Sequence, residues 1–182
     1  MDHLSKLEAK SVAIFREAYS EFKNLGMLWS IGKDSTVLLW LARKAFFGHV
    51  PFPLIHVDTH YKIPEMIEYR DKFALQWNLD MIYGENEDAL NRKLTHPDGN
   101  VSRVECCQLL KAKALKDTLS GEGKRYRLNH NIRQYEEDKN SEAFTGVISV
   151  FVLMKKALVQ KKDILVQEIK IILGKLGTNH QN

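Results

Sequence analysis

A chain of 182 residues, 44% hydrophobic and 27% charged, can bury a core and carries the polar surface of a globular domain. It contains no apolar run near the ~20 residues that span a bilayer, and Met1–Lys10 holds no signal-peptide core, so a cytoplasmic protein without membrane association is expected. The net charge of +4 resides in residues 151–182, where Lys155, Lys156, Lys161, Lys162, Lys170 and Lys175 outnumber Asp163 and Glu168. Residues 1–150 are left neutral, which argues against a nucleic-acid footprint.

Taken in chain order, Leu7, Val12, Ile14, Phe15, Ala18 and Phe22 recur at helical spacing and predict a helix over 7–22. Gly26-Met-Leu-Trp-Ser30 suits a buried strand, followed by a turn over 31–34 and a helix over 35–46. Pro53-Leu-Ile-His-Val57 predicts a second strand, 63–77 a helix, 81–83 a third strand and 104–119 a further helix. His96-Pro-Asp-Gly-Asn100 is a loop by its turn residues, and 121–141, polar and of mixed charge, reads as a long surface excursion. Strands alternating with helices predict a doubly wound, mainly parallel sheet with helices on both faces. Ligands in such folds bind beyond the carboxyl ends of the strands, so the loops after Ser30 and Val57 matter most.

The first of those loops has the chemistry of a phosphate cradle. Gly32 permits close approach of backbone to an anion, and the following helix adds its positive end. Lys33 supplies a mobile positive charge, while Ser30 and Ser35 offer hydroxyls. The spacing differs from that of P-loop nucleotidases. Without wider context, an ordinary strand–turn–helix junction capped by Asp34 or Ser35 explains the same residues. Cys106 and Cys107 are adjacent, a placement that rarely forms a disulfide and cannot by itself complete a four-ligand metal site. They are expected to be reduced thiols.

Ser30-Ile-Gly-Lys-Asp-Ser35 resembles the PP-loop of the adenine-nucleotide α-hydrolase-like superfamily, which cleaves ATP between its α and β phosphates. Ala42-Arg-Lys-Ala-Phe46, Pro51-Phe-Pro-Leu-Ile-His-Val-Asp-Thr59, residues 65–71 and Leu110-Lys-Ala-Lys-Ala-Leu115 extend the likeness. Together they resemble the small-subunit family of bacterial sulfate adenylyltransferases, grouped with the phosphoadenylyl-sulfate reductases, over roughly residues 5–150. The resemblance implies a PP-loop nucleotide-binding domain over 1–150 that uses ATP with Mg²⁺, transfers AMP to sulfate and works beside a larger GTPase subunit. It implies that Ser30, Ile31, Gly32, Lys33, Asp34 and Ser35 hold pyrophosphate, with Asp58 and Thr59 along the nucleotide. Lys33, Asp34 and Asp58 would stand nearest the chemistry, with Lys111 a further cation for phosphate or sulfate oxygens. His56 is expected as a core histidine and Arg70 as solvated surface charge. A reductase-like enzyme and a catalytically impaired nucleotide-binding subunit are the alternative readings.

From about Val150 the likeness stops. The block D-E-E-G-S-R-S-K-E-R-Y-F-S-P-R, which the resemblance implies after Phe144-Thr-Gly-Val-Ile148, does not follow. Codons can be chosen for the stretch from Val150 to Glu168 that, read from the third nucleotide, restore I-R-L-D-E-E-G-S-R-S-K-E-R-Y-F-S-P-R. The lysine-rich tail is therefore expected to be a frameshifted form of the family's own region. Its other reading is a natural amphipathic helix, since Ile164, Leu165, Ile169, Ile172 and Leu173 have helical spacing.

Overall fold

The structure, a computed structural model, describes residues 2–129, 134–138 and 142–149. The atypical tail over 151–182 and the frame change expected from about Val150 lie outside the described residues.

Helix α1 (His3–Glu21) begins before its apolar spacing does, because Asp2 caps it by accepting from the Ser5 amide at 2.7 Å. Strand β1 (Leu25–Leu28) leads through a short turn into α2 (Lys33–Ala45). Strand β2 (Leu54–Val57), α3 (Pro64–Gln76) and β3 (Met81–Gly84) repeat the pattern, and a short α4 (Glu87–Asn91) follows. The helix expected over 104–119 is a continuous helical run with three parts. These are α5 (Arg103–Cys107), a wide π-helical turn (Gln108–Lys113) and α6 (Ala114–Ser120).

The region 121–141, expected to be a surface excursion, instead contributes two strands, β4 (Arg125–Asn129) and β5 (Gln134–Glu137). They read as loop because they are strongly charged. The arginines of β4 are partnered, however: the buried Arg125 donates to the Thr118 and Glu142 carbonyls, and both Arg127 and Arg125 face Asp138. With β6 (Gly146–Ile148) they complete a six-stranded sheet in the order β5-β4-β3-β2-β1-β6. Strands β6, β1, β2 and β3 are parallel, whereas β3–β4 and β4–β5 are antiparallel.

Strand alternation divides the core into two layers. Leu25 and Met27 of β1, Leu54 of β2 and Met81 of β3 pack with Phe15, Leu39 and Ala74 of α1, α2 and α3. Ile55, Ile82 and Val147 point the other way, toward Leu119 of α6 and Phe144. The sheet is thus covered on both faces, as the strand–helix alternation predicted. Gly84 shows how close the second layer lies: a Cβ there would stand 1.8 Å from the Thr118 hydroxyl oxygen.

Candidate functional site

The turn after β1 is built to leave amides free. Helix α2 starts two residues earlier than its apolar stripe indicates, so Lys33 and Asp34 belong to its first turn. Its N-cap is Gly32, which has no side chain to accept from the helix. The ordinary capping role that Asp34 or Ser35 could have played is therefore not used. Ser35 instead donates to the Gly32 carbonyl at 3.0 Å and lies 3.1 Å from the Ser30 hydroxyl. Among the described residues no acceptor meets the amides of Lys33, Asp34 and Ser35, and these carry the positive end of the helix dipole. Gly32 itself is extended (φ −70°). The left-handed residue is Ile31, at φ 67° with its side chain buried. A β-branched residue held there costs on the order of 1–3 kcal/mol, a strain found most often at binding turns.

Two contacts fix this turn from below. The Trp29 indole donates to the Thr36 hydroxyl at 3.2 Å, and His56 Nδ1 donates to the Trp29 carbonyl at 2.8 Å. A carbonyl only accepts, so the His56 proton must sit on Nδ1. Burial, with smaller contributions from Lys62 and Arg70, pushes the His56 pKa down to about 4, against the Trp29 carbonyl and Asp58. His56 is thus a neutral core histidine, as expected, although its Nε2 has no partner among the described residues.

The loop after β2 carries a charged network. Burial disfavours the Asp58 carboxylate, but the His60 amide, with help from Lys62, His56 and Arg70, outweighs it and lowers the pKa. Asp58 Oδ1 accepts from His60 at 2.9 Å and stands 3.6 Å from the Lys62 ammonium, while Oδ2 lies 3.3 Å from Arg70. Arg70 corrects the sequence expectation. It is 2% exposed rather than a solvated surface charge, donates to Asp71 at 2.8 Å and to Tyr135 at 2.6 Å, and stacks on Tyr83. Two of its partners, Tyr83 and Tyr135, lie on β3 and β5, so no local sequence signal marks it.

Between these loops and the α5–α6 run lies a cavity of about 590 Å³. Of the residues expected at the site, Ser30, Thr59 and Lys111 line it. Ile31, Gly32, Lys33, Asp34 and Ser35 adjoin it through Ser30 without lining it, and Lys33 and Asp34 are exposed. Asp58 is also outside the lining, with its oxygens turned to Arg70, Lys62 and His60. Lining residues that the sequence did not single out include Lys62, His96 and Arg103. Leu28, Ile55, Leu110 and Leu115 give the cavity an apolar portion. Cys106, buried, and Cys107, exposed, are free thiols in the same wall.

The two-sided, mostly parallel sheet with an uncapped, strained turn at the end of β1 defines an α/β protein of the adenine-nucleotide α-hydrolase-like class. A family model described as the phosphoadenosine phosphosulfate reductase domain matches residues 24–148, and the chain belongs to that family. Among similar proteins is sulfate adenylyltransferase subunit 2 of Shewanella loihica, 46% identical over 125 residues, or 66% of this chain and 40% of the relative. The protein of the same name from Shewanella amazonensis is 54% identical over 91 residues, 50% of this chain and 30% of the relative. That of Aeromonas salmonicida is 44% identical over 127 residues, 68% and 40% of the two chains. The matched stretch therefore spans well under half the length of these curated relatives.

Proposed function

We propose that the chain supports ATP-dependent sulfate activation, in which AMP passes from ATP to sulfate to give adenylyl sulfate and pyrophosphate. A sulfate oxygen attacks the α-phosphorus, the bond to the α–β bridging oxygen breaks, and pyrophosphate leaves with the electron pair. The observation that carries this reading is the uncapped start of α2, where the amides of Lys33, Asp34 and Ser35 are free at the carboxyl end of β1. A departing pyrophosphate gains negative charge, which is what such a helix start favours. A Cβ at Gly32 would meet only the Ser30 and Ser35 hydroxyls, at 3.6 and 3.9 Å, so the protein's own packing does not demand glycine there. Room for an anion does.

In this reading Ser30, Ile31, Gly32, Lys33, Asp34 and Ser35 cradle the pyrophosphate, and Thr59 and Lys111 contact substrate from the cavity wall. Asp58 acts as a positioning residue, holding Lys62 and Arg70 in place. Among the described residues no group of three or more His, Cys, Asp or Glu could hold a metal. Magnesium is proposed to accompany ATP, where it would neutralise phosphate charge. A partner subunit is supported by relatives whose name is that of a subunit, and the resemblance implies that this partner is a larger GTPase. A cytoplasmic setting is proposed with it; no helix among the described residues is long and apolar enough to cross a membrane.

A second reading, a phosphoadenylyl-sulfate reductase-like enzyme, is favoured by the family match and by two thiols in the cavity wall. Exchange of labelled pyrophosphate into ATP separates the readings. Sulfate-dependent exchange supports the transferase, thiol-dependent sulfite release supports the reductase, and ATP binding without turnover supports an impaired nucleotide-binding subunit.

A further inference from the structure

The cavity wall opposite the PP-loop has a pattern of its own. Arg103, Cys107, Lys111 and Leu115 recur at every fourth residue, and all four line the cavity. On a regular helix of 3.6 residues per turn, a period of four drifts about 40° around the axis at each step. The π-helical turn Gln108–Lys113 is wider than an α-turn and counters that drift. It keeps the stripe from Arg103 to Leu115 turned to the cavity. Such single π-turns cluster at functional sites.

The stripe is cationic where it meets the loop after β2. Lys62 joins Arg103 and Lys111 in the lining, with His96 beside them, and among the described residues no Asp or Glu lines the cavity. Arg103 and Lys111 have no carboxylate partner among the ion pairs of the described residues. Lys62 has Asp58 3.6 Å away, outside the cavity, and its ammonium is partly desolvated. Cations gathered in a concave site that no carboxylate of the described residues lines hold a field suited to an anion. The PP-loop already supplies free amides for pyrophosphate, so this second positive region is not needed for that group.

Building on the proposed activity, we propose that Lys62, Arg103 and Lys111 form a separate subsite for the oxyanion acceptor, a tetrahedral dianion such as sulfate. The planar guanidinium of Arg103 can take two of its oxygens at once, and the two ammonium groups balance the remaining charge. The acceptor is thereby held on the cavity side of Ser30, apart from the pyrophosphate end of the nucleotide.

Cys107 provides a local reporter, because it is exposed and lies in the stripe between Arg103 and Lys111. Alkylation of Cys107 by neutral iodoacetamide is followed by peptide mass spectrometry on the full chain, with sodium sulfate compared against chloride of equal ionic strength. ATP binding is measured separately by calorimetry. Sulfate is expected to slow Cys107 alkylation at least several-fold in the wild type. In Arg103→Gln and Lys111→Gln that protection should be lost, while in Arg103→Gln ATP affinity changes less than threefold. Protection by sulfate that persists in both variants overturns the subsite. So does a parallel loss of ATP affinity, which would assign these cations to nucleotide phosphate. A wild type that binds ATP but shows no sulfate protection refutes the inference alone. A folded wild type that binds neither refutes the proposed activity as well.

Discussion

Replacing His56 with asparagine tests how the turn after β1 is held. The asparagine amide can donate to the Trp29 carbonyl in place of Nδ1, but it cannot be protonated. In the folded wild type the His56 pKa is about 4, against an ordinary value of 6.5. Between those values the unfolded chain binds more protons than the folded one, so stability must fall as pH falls through the window. Above about pH 6.5 both states are neutral and the penalty vanishes. The difference corresponds to about 2 kcal/mol at pH 5 and about 3 kcal/mol near pH 4. The groups around the ring are Lys62, Arg70, Asp58 and the ring of Tyr83. They remain in the variant and cancel in the comparison. Urea unfolding at pH 7 and pH 5 reads the effect directly. The His56→Asn variant should begin roughly 1–3 kcal/mol less stable at pH 7, because the lost ring atoms leave a small void. It should then lose about 2 kcal/mol less than the wild type on going to pH 5. Parallel losses in the two proteins would refute a buried neutral histidine beneath the turn.

Three further outcomes are expected. Lys33→Ala should weaken MgATP or pyrophosphate binding by ~1.5–3 kcal/mol in calorimetry. Its melting temperature should stay unchanged, because the side chain is exposed; unaltered affinity in the folded variant would remove the PP-loop assignment. Gly84→Ala should cost ~1–3 kcal/mol in chemical unfolding, since the new Cβ meets Thr118 at 1.8 Å. Thr118→Ala in the same chain should recover part of that loss, and additive costs would mean that the contact is not the cause. Sequencing the gene should reveal an open alternative frame from about Val150 that encodes the arginine-rich block. A frame that closes at once or lacks the block refutes the frameshift.

The parallel half of the fold was legible because its strands are short apolar runs, separated by helices whose apolar residues keep helical spacing. Those helices were placed correctly to within a few residues. The errors at their starts have local causes: Asp2 caps α1 from outside its apolar stripe, and Gly32 starts α2 without any capping side chain. The antiparallel edge was not legible. Arg125 and Arg127 look like solvent charge until the chain brings Asp138 and Asp80 to them. Arg70 was missed for the same reason, its partners Tyr83 and Tyr135 being distant in sequence.

The site was legible where a turn carries its own chemistry and illegible where a cavity gathers residues from separate elements. Ser30, Thr59 and Lys111 could be named from matched blocks, but Arg103 and Lys62 could not. Nothing in the sequence shows that a π-turn keeps Arg103 and Lys111 on one stripe. The sheet order adds a last consequence. With β1 between β2 and β6, the winding reverses direction at β1, and the crevice of such a sheet opens beyond the carboxyl ends of those central strands. Ser30 follows β1 there, and Ser149 follows β6 at the same end of the parallel sheet. The described strands and turn precede Val150, so they are the same whichever frame follows. An arginine-rich block carries bidentate donors for phosphate or sulfate, whereas lysines supply charge without the planar fork.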